Sequence, residues 1–565
     1  MNRVLIAGGV AGGATAAARL RRLDEQAEII MFERGEHISF ANCGLPYYIG
    51  GVIAGREDLL LQSPESFRRR HNIDVRVQNE VLSVNRKAKT VEVADIKTGR
   101  KYTENYGKLI LATGGLPVIP PVPGIDSERV FTLRNIADTD RIKGFIKKNN
   151  PRTAAVIGGG FIGIEMAENL REAGLDVSII ELSDQVIAPL DFDVVCEIHR
   201  HLRQKGISLY LNSGVQKIAE ENGALTLYMQ NQTLKADLLI LAIGVKPESS
   251  LAKEAGLTLN GRGGIVVDSH MRTSDPDIYA AGDAVEVTDF VTGQPAMIPL
   301  AGPANKQARI AADNICGIPS EYTGTQGSAV IKVFDMTVAF TGINEKTAKR
   351  QALDYGKVFL WLSGHAGYYP GSGYMSMKVL FENKSGKILG AQIAGRDGVD
   401  KRCDVLATAI RAGMTAGDLA RLELCYAPPY SSAKDPVNMA GYVIENVLYG
   451  KVKNFHWHDV DDLPRDGSAT LLDVRNPGEF VNGHIDGFMN IPLDNLRAKL
   501  QELPEGIMDP SKPVYVMCQS GIRSYNAVRI LVQNGYNAFN LSGGYRLYSS
   551  VLEMKNGKNN TGEQQ

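Results

Sequence analysis

Thr153-Ala154-Ala155-Val156-Ile157-Gly158-Gly159-Gly160-Phe161-Ile162-Gly163 decides the fold of this chain. An apolar run leads into glycines at 158, 160 and 163, the spacing of a turn that brings backbone close to a pyrophosphate. A helix is expected from Ile164 to about Ala173, then a β-branched strand, Val177–Ile180, ending on Glu181. Strand, glycine turn, helix, strand and acid together put a pyrophosphate on a helix N-terminus and a ribose on a carboxylate. Glu181 can accept from both ribose hydroxyls and repels a 2′-phosphate, so NADH is expected rather than NADPH.

An earlier copy begins the chain. Arg3–Ala7 is apolar, Gly8-Gly9-Val10-Ala11-Gly12-Gly13 follows, and Ala14–Leu23 has helical composition. The strand Glu28–Phe32 then ends on Glu33, 25 residues after Gly8. Val10 stands where the strict pattern has glycine, so the context of the loop carries the reading. Two dinucleotide folds imply two dinucleotides, a bound flavin and a hydride donor. Smaller marks agree: Ala112-Thr113-Gly114 ends one strand run, Ala242-Ile243-Gly244 another, and Ala281-Gly282-Asp283 a third.

The totals set bounds. A length of 565 residues exceeds one core and suggests roughly three or four domains. A net charge of −1 gives no basic field for nucleic acid or for a membrane surface. Six scattered cysteines form no disulfide framework, and a reducing cytoplasm is the simplest setting. No apolar run reaches the ~20 residues of a membrane helix. The N-terminus runs straight into strand and glycine loop, unlike a signal peptide.

Ser39-Phe40-Ala41-Asn42-Cys43-Gly44-Leu45-Pro46-Tyr47 holds one cysteine, and the nearest other in sequence is Cys196. A dithiol oxidoreductase would carry a close pair. A redox-active Cys43 therefore needs a partner brought to it: a small thiol, a sulfur atom or a peroxide oxygen. A buried, inert thiol is the plainer reading of a lone cysteine, but two dinucleotide folds beside this one favour chemistry.

With these motifs the chain resembles the flavin-dependent pyridine nucleotide–disulfide oxidoreductases over roughly residues 1–445. The resemblance implies an α/β architecture: an FAD-binding domain over 1–118 and 250–322, an NADH-binding domain over 119–249, and an α+β dimerisation domain over 325–445. It assigns Gly8, Ala11, Gly12, Gly13, Glu33, Arg34, Val81, Ala112, Thr113, Gly114 and Asp283 to FAD. Gly158, Gly160, Phe161, Ile162, Gly163, Glu181 and Gly244 fall to NADH. Within the family, S-F-x-N-C-G-x-P-Y is similar to the single-cysteine branch, which holds coenzyme A disulfide reductases and NADH oxidases and peroxidases. The latter carry a histidine in the first glycine loop where this chain has Ala11, which favours a thiol-linked substrate.

Thr15, Arg19, Arg22, Ser39, Asn42, Asn305 and Lys434 match the coenzyme A branch and are implied to bind that ligand. Arg19 and Arg22 are three apart on one helical face and could meet one phosphate group; a solvated face is the alternative. Arg68-Arg69-Arg70 reads as solvated surface. Tyr368 and Tyr426 match tyrosines that reach the reactive sulfur from the partner subunit of a homodimer, where a phenol can donate to a departing sulfur anion; ordinary interface aromatics are the alternative. Either Tyr368 or Tyr369 could be the one that points inward. Cys403 and Cys425 look structural.

After Gly450 the composition changes. Residues 446–464 read as a linker. Ala469–Leu472 is a strand ending in Asp473-Val474-Arg475, and Val514–Met517 delivers Cys518-Gln519-Ser520-Gly521-Ile522-Arg523-Ser524 ahead of a helix. Cysteine in a small-residue loop between strand and helix meets successive backbone N–H groups and a helix dipole. Residues 465–553 resemble an α/β rhodanese domain. Its C-x4-R loop is tighter than the C-x5-R loop of phosphatase relatives and implies a sulfane sulfur on Cys518, with Arg523 beside it. Residues 554–565 read as a disordered tail.

The expected activity is FAD- and NADH-dependent reduction of a coenzyme A persulfide, polysulfide or coenzyme A disulfide at Cys43, with Cys518 relaying sulfur. An NADH oxidase or peroxidase cycling Cys43 through sulfenic acid is the alternative enzyme. A sulfur-relay or redox-sensing carrier is the non-enzymatic one.

Overall fold

The computed structural model describes residues 3–502 and 509–557. The chain forms two compact units, Met1–Val186 with Gly206–Gly327, and Ile187–Lys205 with Ser328–Gln565.

The first unit holds two five-stranded parallel sheets of one design. In the first, the order is Ile278–Ala280, Lys108–Leu111, Arg3–Ala7, Glu28–Glu33, Asp74–Val77. In the second it is Ile207–Tyr210, Asp176–Ile180, Thr153–Ile157, Leu238–Leu241, Val130–Thr132. Each glycine-loop strand is central, and its neighbours are reached in opposite directions. The crevice outside its carboxyl end is the switch point where such sheets bind ligands. Each copy also carries a three-stranded antiparallel meander, Asn79–Asn85 with Thr90–Asp95 and Lys101–Asn105, and Val215–Glu221 with Ala224–Met229 and Thr233–Ala236. Gly115–Pro117 pairs with Val245–Pro247 where the chain leaves and re-enters the first copy.

The helices after the glycine loops begin earlier than composition suggests, at Ala11 and Phe161 rather than Ala14 and Ile164. The reason is packing. A Cβ on Gly13 would stand 1.8 Å from the Gly8 carbonyl oxygen, and one on Gly163 1.9 Å from that of Gly158. These glycines are inside the first turn because nothing larger fits, despite their low helix propensity.

The second unit is built on an antiparallel sheet, ordered Ala329–Val333, Met336–Gly342, Ile388–Gly395, Tyr374–Glu382, Tyr355–Ser363. The helix Phe192–Gln204 belongs to this unit, although its sequence lies inside the range expected for NADH binding. Lys378, 1% exposed on the middle of strand Tyr374–Glu382, explains why. Its ammonium lies 3.1 Å from Asp191, 2.9 Å from Asp193 and 2.9 Å from Glu345. A buried lysine needs such counterions, and two of the three come from residues that introduce or open the helix.

The C-terminal sheet is parallel, ordered Lys453–Phe455, Ala538–Leu541, Val514–Met517, Thr470–Asp473, Met489–Asn490. The stretch 446–464 is therefore no plain linker. It ends the helix Pro436–Leu448 and supplies an edge strand with Phe455 buried. Of the expected tail, 554–557 complete the helix Gly544–Gly557, with Met554 buried; 558–565 lie outside the described residues. Among the described residues, no helix is long and apolar enough to cross a membrane.

Candidate active site

Cys43 sits in a single 3-10 turn, Asn42–Gly44, which runs into the short helix Leu45–Ile49. Leu45, Pro46 and Ile49 are buried and anchor that helix, while Cys43 and Asn42 remain exposed. The turn is held on the first glycine loop. Ser39 adopts a left-handed φ of 46° and its N–H donates to the Gly9 carbonyl at 2.9 Å. The Cys43 thiol is pushed up from its ordinary value by burial of the sulfur's surroundings, then by the charges of Glu165 and Asp283. Glu165 follows the second glycine fingerprint by two residues. Burial raises its carboxyl to about 7, Tyr47 donating to it opposes the rise, and Glu168 adds to it. Burial likewise raises Asp283, opposed by Arg134. The structure thus gathers Cys43, Tyr47, Glu165 and Asp283. Cys43, Tyr47 and Asp283 belong to motifs read in the sequence; Glu165 stands beside a motif without belonging to it.

The two glycine loops fit dinucleotides in the same way. Val10 and Gly160 precede the helices without any side-chain cap, and neither first turn carries an acid. The first N–H groups of both helices are left for an anion. Glu33 accepts from Gly9 N–H and Gly35 N–H at 2.8 Å each. Glu181 accepts from Gly159 N–H at 2.7 Å, Ser183 N–H at 2.8 Å and Ser183 Oγ at 2.7 Å. Each carboxylate is locked at its strand end, with acceptor capacity to spare for ribose hydroxyls. Thr113 Oγ1 donates to the Glu248 carbonyl. Arg34 lies 3.7 Å from Glu80 and from Glu248, whereas Val81 is buried core. Phe161 and Ile162 open the second helix, and Gly244 takes a φ of 117°.

The residues expected at coenzyme A are partly committed to one another. Thr15 Oγ1 donates to Asn305 Oδ1 at 2.7 Å. Arg19 pairs with Asp313 at 2.6 Å, so its charge is largely answered within the protein. Arg22 is exposed, its Nε donating to the Ala18 carbonyl at 2.8 Å. His71 is depressed by burial and then by the charges of Arg22 and Arg70. Arg22 and Arg70 are exposed cations beside a neutral His71, while the charge of Arg19 is met by Asp313. The arginine run 68–70, read as solvated surface, is exposed at all three positions. Lys434 is exposed in the second unit.

In that unit the Tyr368 and Tyr426 hydroxyls are 2.9 Å apart, and their rings are 77% and 48% exposed. Tyr369 instead meets His365 edge to face at 5.6 Å. Cys425, expected to be structural, is exposed beside Tyr426; Cys403 is buried.

Cys518 follows the central strand of the C-terminal sheet and is fully buried. Gly521 N–H donates to its sulfur at 3.1 Å and Ser524 Oγ at 3.3 Å. Ser524 also reaches Asn540 Oδ1 at 2.6 Å. Arg523 does not turn to the sulfur. It forms a two-pronged ion pair with Glu479 at 2.6 and 2.7 Å, which holds Glu479 down at about 2. Behind the loop, Arg475 is clamped by Asp473 at 2.7 Å and reaches Gln519 Oε1 at 3.3 Å.

Residues 2–359 match the pyridine nucleotide-disulphide oxidoreductase family, and 328–436 match the dimerisation domain of the same family. The chain belongs to this oxidoreductase family. Residues 456–550 match the rhodanese-like domain. A coenzyme A disulfide reductase of Staphylococcus haemolyticus is 37% identical over 444 residues, 78% of this chain and 99% of that protein. Among solved structures, reduced CoADR-RHD of Bacillus anthracis is 51% identical with a TM-score of 0.94, covering 97% of this chain and 98% of that one. A NAD-dependent persulfide reductase from A. fulgidus is 38% identical with a TM-score of 0.89, covering 97% and 100%. The oxidoreductase and rhodanese parts are therefore joined in this member of the family as in relatives that align along nearly its whole length.

Proposed function

We propose that this protein is a homodimeric FAD- and NADH-dependent reductase of coenzyme A persulfide, polysulfide or coenzyme A disulfide, with Cys518 as a sulfur carrier. One observation carries the reading: Cys43, exposed and without a neighbouring cysteine in sequence, is tied to the first glycine loop of a chain that also holds a rhodanese loop. Reduction of a plain disulfide has no need of a sulfur carrier, so the fusion favours sulfane sulfur.

Gly8, Gly12, Gly13, Glu33, Ala112, Thr113, Gly114 and Asp283 would hold FAD, with Arg34 at its edge. Gly158, Gly160, Phe161, Ile162, Gly163, Glu181 and Gly244 would hold NADH. Thr15, Arg22, Ser39, Asn42 and Asn305, with the exposed Arg70, would receive coenzyme A. The Cys43 thiolate attacks the coenzyme A sulfur of the persulfide. A Cys43–S–S–coenzyme A bond forms, the terminal S–S bond breaks, and hydrosulfide leaves. When bound, flavin and dihydronicotinamide would supply the two electrons needed to return this mixed disulfide to two thiolates. Tyr368 and Tyr426, whose hydroxyls already share a proton, are suited to donate to the departing sulfur from a partner subunit. Glu165, raised to about 7, can take or give a proton beside Cys43 at neutral pH.

The test is anaerobic NADH consumption with coenzyme A persulfide, coenzyme A disulfide and hydrogen peroxide in parallel, using wild type and Cys43→Ser. Persulfide turnover that vanishes in Cys43→Ser supports the proposal. Turnover with peroxide alone overturns it and makes Cys43 a sulfenic acid centre.

A further inference from the structure

We infer that the dimerisation sheet positions the Cys518 loop, with Trp361 as the positioning residue for sulfur capture. The inference rests on the reading of Cys518 as a sulfur carrier.

Strand Tyr355–Ser363 is the edge of its sheet, and an edge strand presents unpaired backbone groups. Here that edge is used. Phe359 N–H donates to Ser542 Oγ at 3.1 Å, and Trp361 Nε1 donates to the Gly543 carbonyl at 3.0 Å, both buried. Gly543 and Gly544 follow one another with φ of 82° and 63°, a turn of high intrinsic freedom. The far side of the turn is the catalytic loop. A Cβ on Gly544 would stand 2.6 Å from the Cys518 carbonyl oxygen. Tyr545 N–H donates to that oxygen at 2.8 Å, and Arg546 N–H to the Gln519 carbonyl at 3.0 Å. The Arg546 guanidinium then returns to lie 4.1 Å over the Trp361 ring and 5.1 Å from Tyr374. Trp361 thus grips the double-glycine turn by its carbonyl and by the cation two residues on, and the turn holds the peptides of Cys518 and Gln519. Those peptides lead directly into the Ser520–Gly521 peptide, whose N–H meets the sulfur at 3.1 Å.

Sulfur capture is a displacement. The Cys518 thiolate bonds to a terminal sulfur of inorganic polysulfide, one S–S bond breaks, and a polysulfide one sulfur shorter leaves with the electron pair. No oxidant or reductant is consumed. A loop that is free to tilt loses part of the stabilisation of the new persulfide anion without losing access for the donor.

The experiment follows persulfide on Cys518 by peptide mass spectrometry after mixing full-length holoenzyme with inorganic polysulfide. Wild type, Trp361→Phe and Cys518→Ser are compared over a range of polysulfide concentrations. Trp361→Phe keeps a ring under Arg546 and loses only the donor to Gly543. Its maximal rate should fall about five-fold, the effect of one buried hydrogen bond, with the half-saturating polysulfide concentration unchanged. NADH-dependent turnover of coenzyme A disulfide should stay at the wild-type value. Persulfidation of Trp361→Phe at the wild-type rate overturns the inference, as does a parallel loss of coenzyme A disulfide turnover. No persulfide on Cys518 in wild type overturns the underlying reading of the loop instead. Should Trp361→Phe fail to fold, Arg546→Lys, which keeps the charge and loses the flat stack, carries the same expectation.

Discussion

The Tyr47 hydroxyl donates to Glu165 Oε1 across 3.4 Å, joining the short helix after Cys43 to the helix after the second glycine loop. The contact ties the thiol's surroundings to a carboxyl that titrates near neutrality. Glu165 is raised to about 7 by burial, and its charge in turn raises the Cys43 thiol. In Glu165→Gln that charge is gone, so the Cys43 pKa should fall. Iodoacetamide alkylation of Cys43 in the reduced holoenzyme should begin at lower pH than in wild type. An unchanged pH profile would remove Glu165 from the chemistry.

Glu181 spends hydrogen bonds on Gly159 and Ser183, which fixes its carboxylate at the strand end. Glu181→Ala should lower kcat/KM for NADH by about ten- to a hundred-fold, the range for losing charged hydrogen bonds. The value for NADPH should fall less, narrowing the preference. Steady-state kinetics with both nucleotides decides it, and a wild type that prefers NADPH would count against the assignment.

Lys378→Met leaves Asp191, Asp193 and Glu345 without their shared counterion in a buried setting. Loss of one partner from such a cluster costs about 3–5 kcal/mol. Denaturant titration of the dimerisation unit should show a loss of that order. A variant as stable as wild type would mean that the three acids find protons or water without strain.

His456 is pushed down to about 3 by burial, then by Lys357 and His458. The folded protein keeps it neutral, while an unfolded chain protonates it below about 6.5. Its stabilising contribution is therefore full above that pH and is lost as pH falls toward 3. Between about pH 7 and about pH 5 the melting temperature should drop less in His456→Gln than in wild type. Equal slopes would locate the acid sensitivity elsewhere.

Features that constrain the chain locally were legible in the sequence. In the two glycine loops, Gly8, Gly13, Gly158 and Gly163 have no room for a Cβ. The strand-end acids Glu33 and Glu181, and the Cys518 loop with Gly521, follow from the same local geometry. What was not legible depends on distant partners. Asp313 neutralises Arg19 from 294 residues away, Glu165 reaches Tyr47 across 118, and Glu479 draws Arg523 aside across 44. No local pattern announces such pairs. The edge strand Lys453–Phe455 hid for another reason: with one buried residue it shows no alternation, and polar composition made it read as linker.

The helix Phe192–Gln204 has a practical consequence for protein engineering. Exchange of residues 119–249 as a cassette, the obvious route to a different nucleotide preference, would also replace Asp191 and Asp193. The buried ammonium at position 378 would then keep Glu345 as its one remaining counterion of the three. Cassettes that stop at Val186 and resume at Gly206 would leave that ammonium with its counterions.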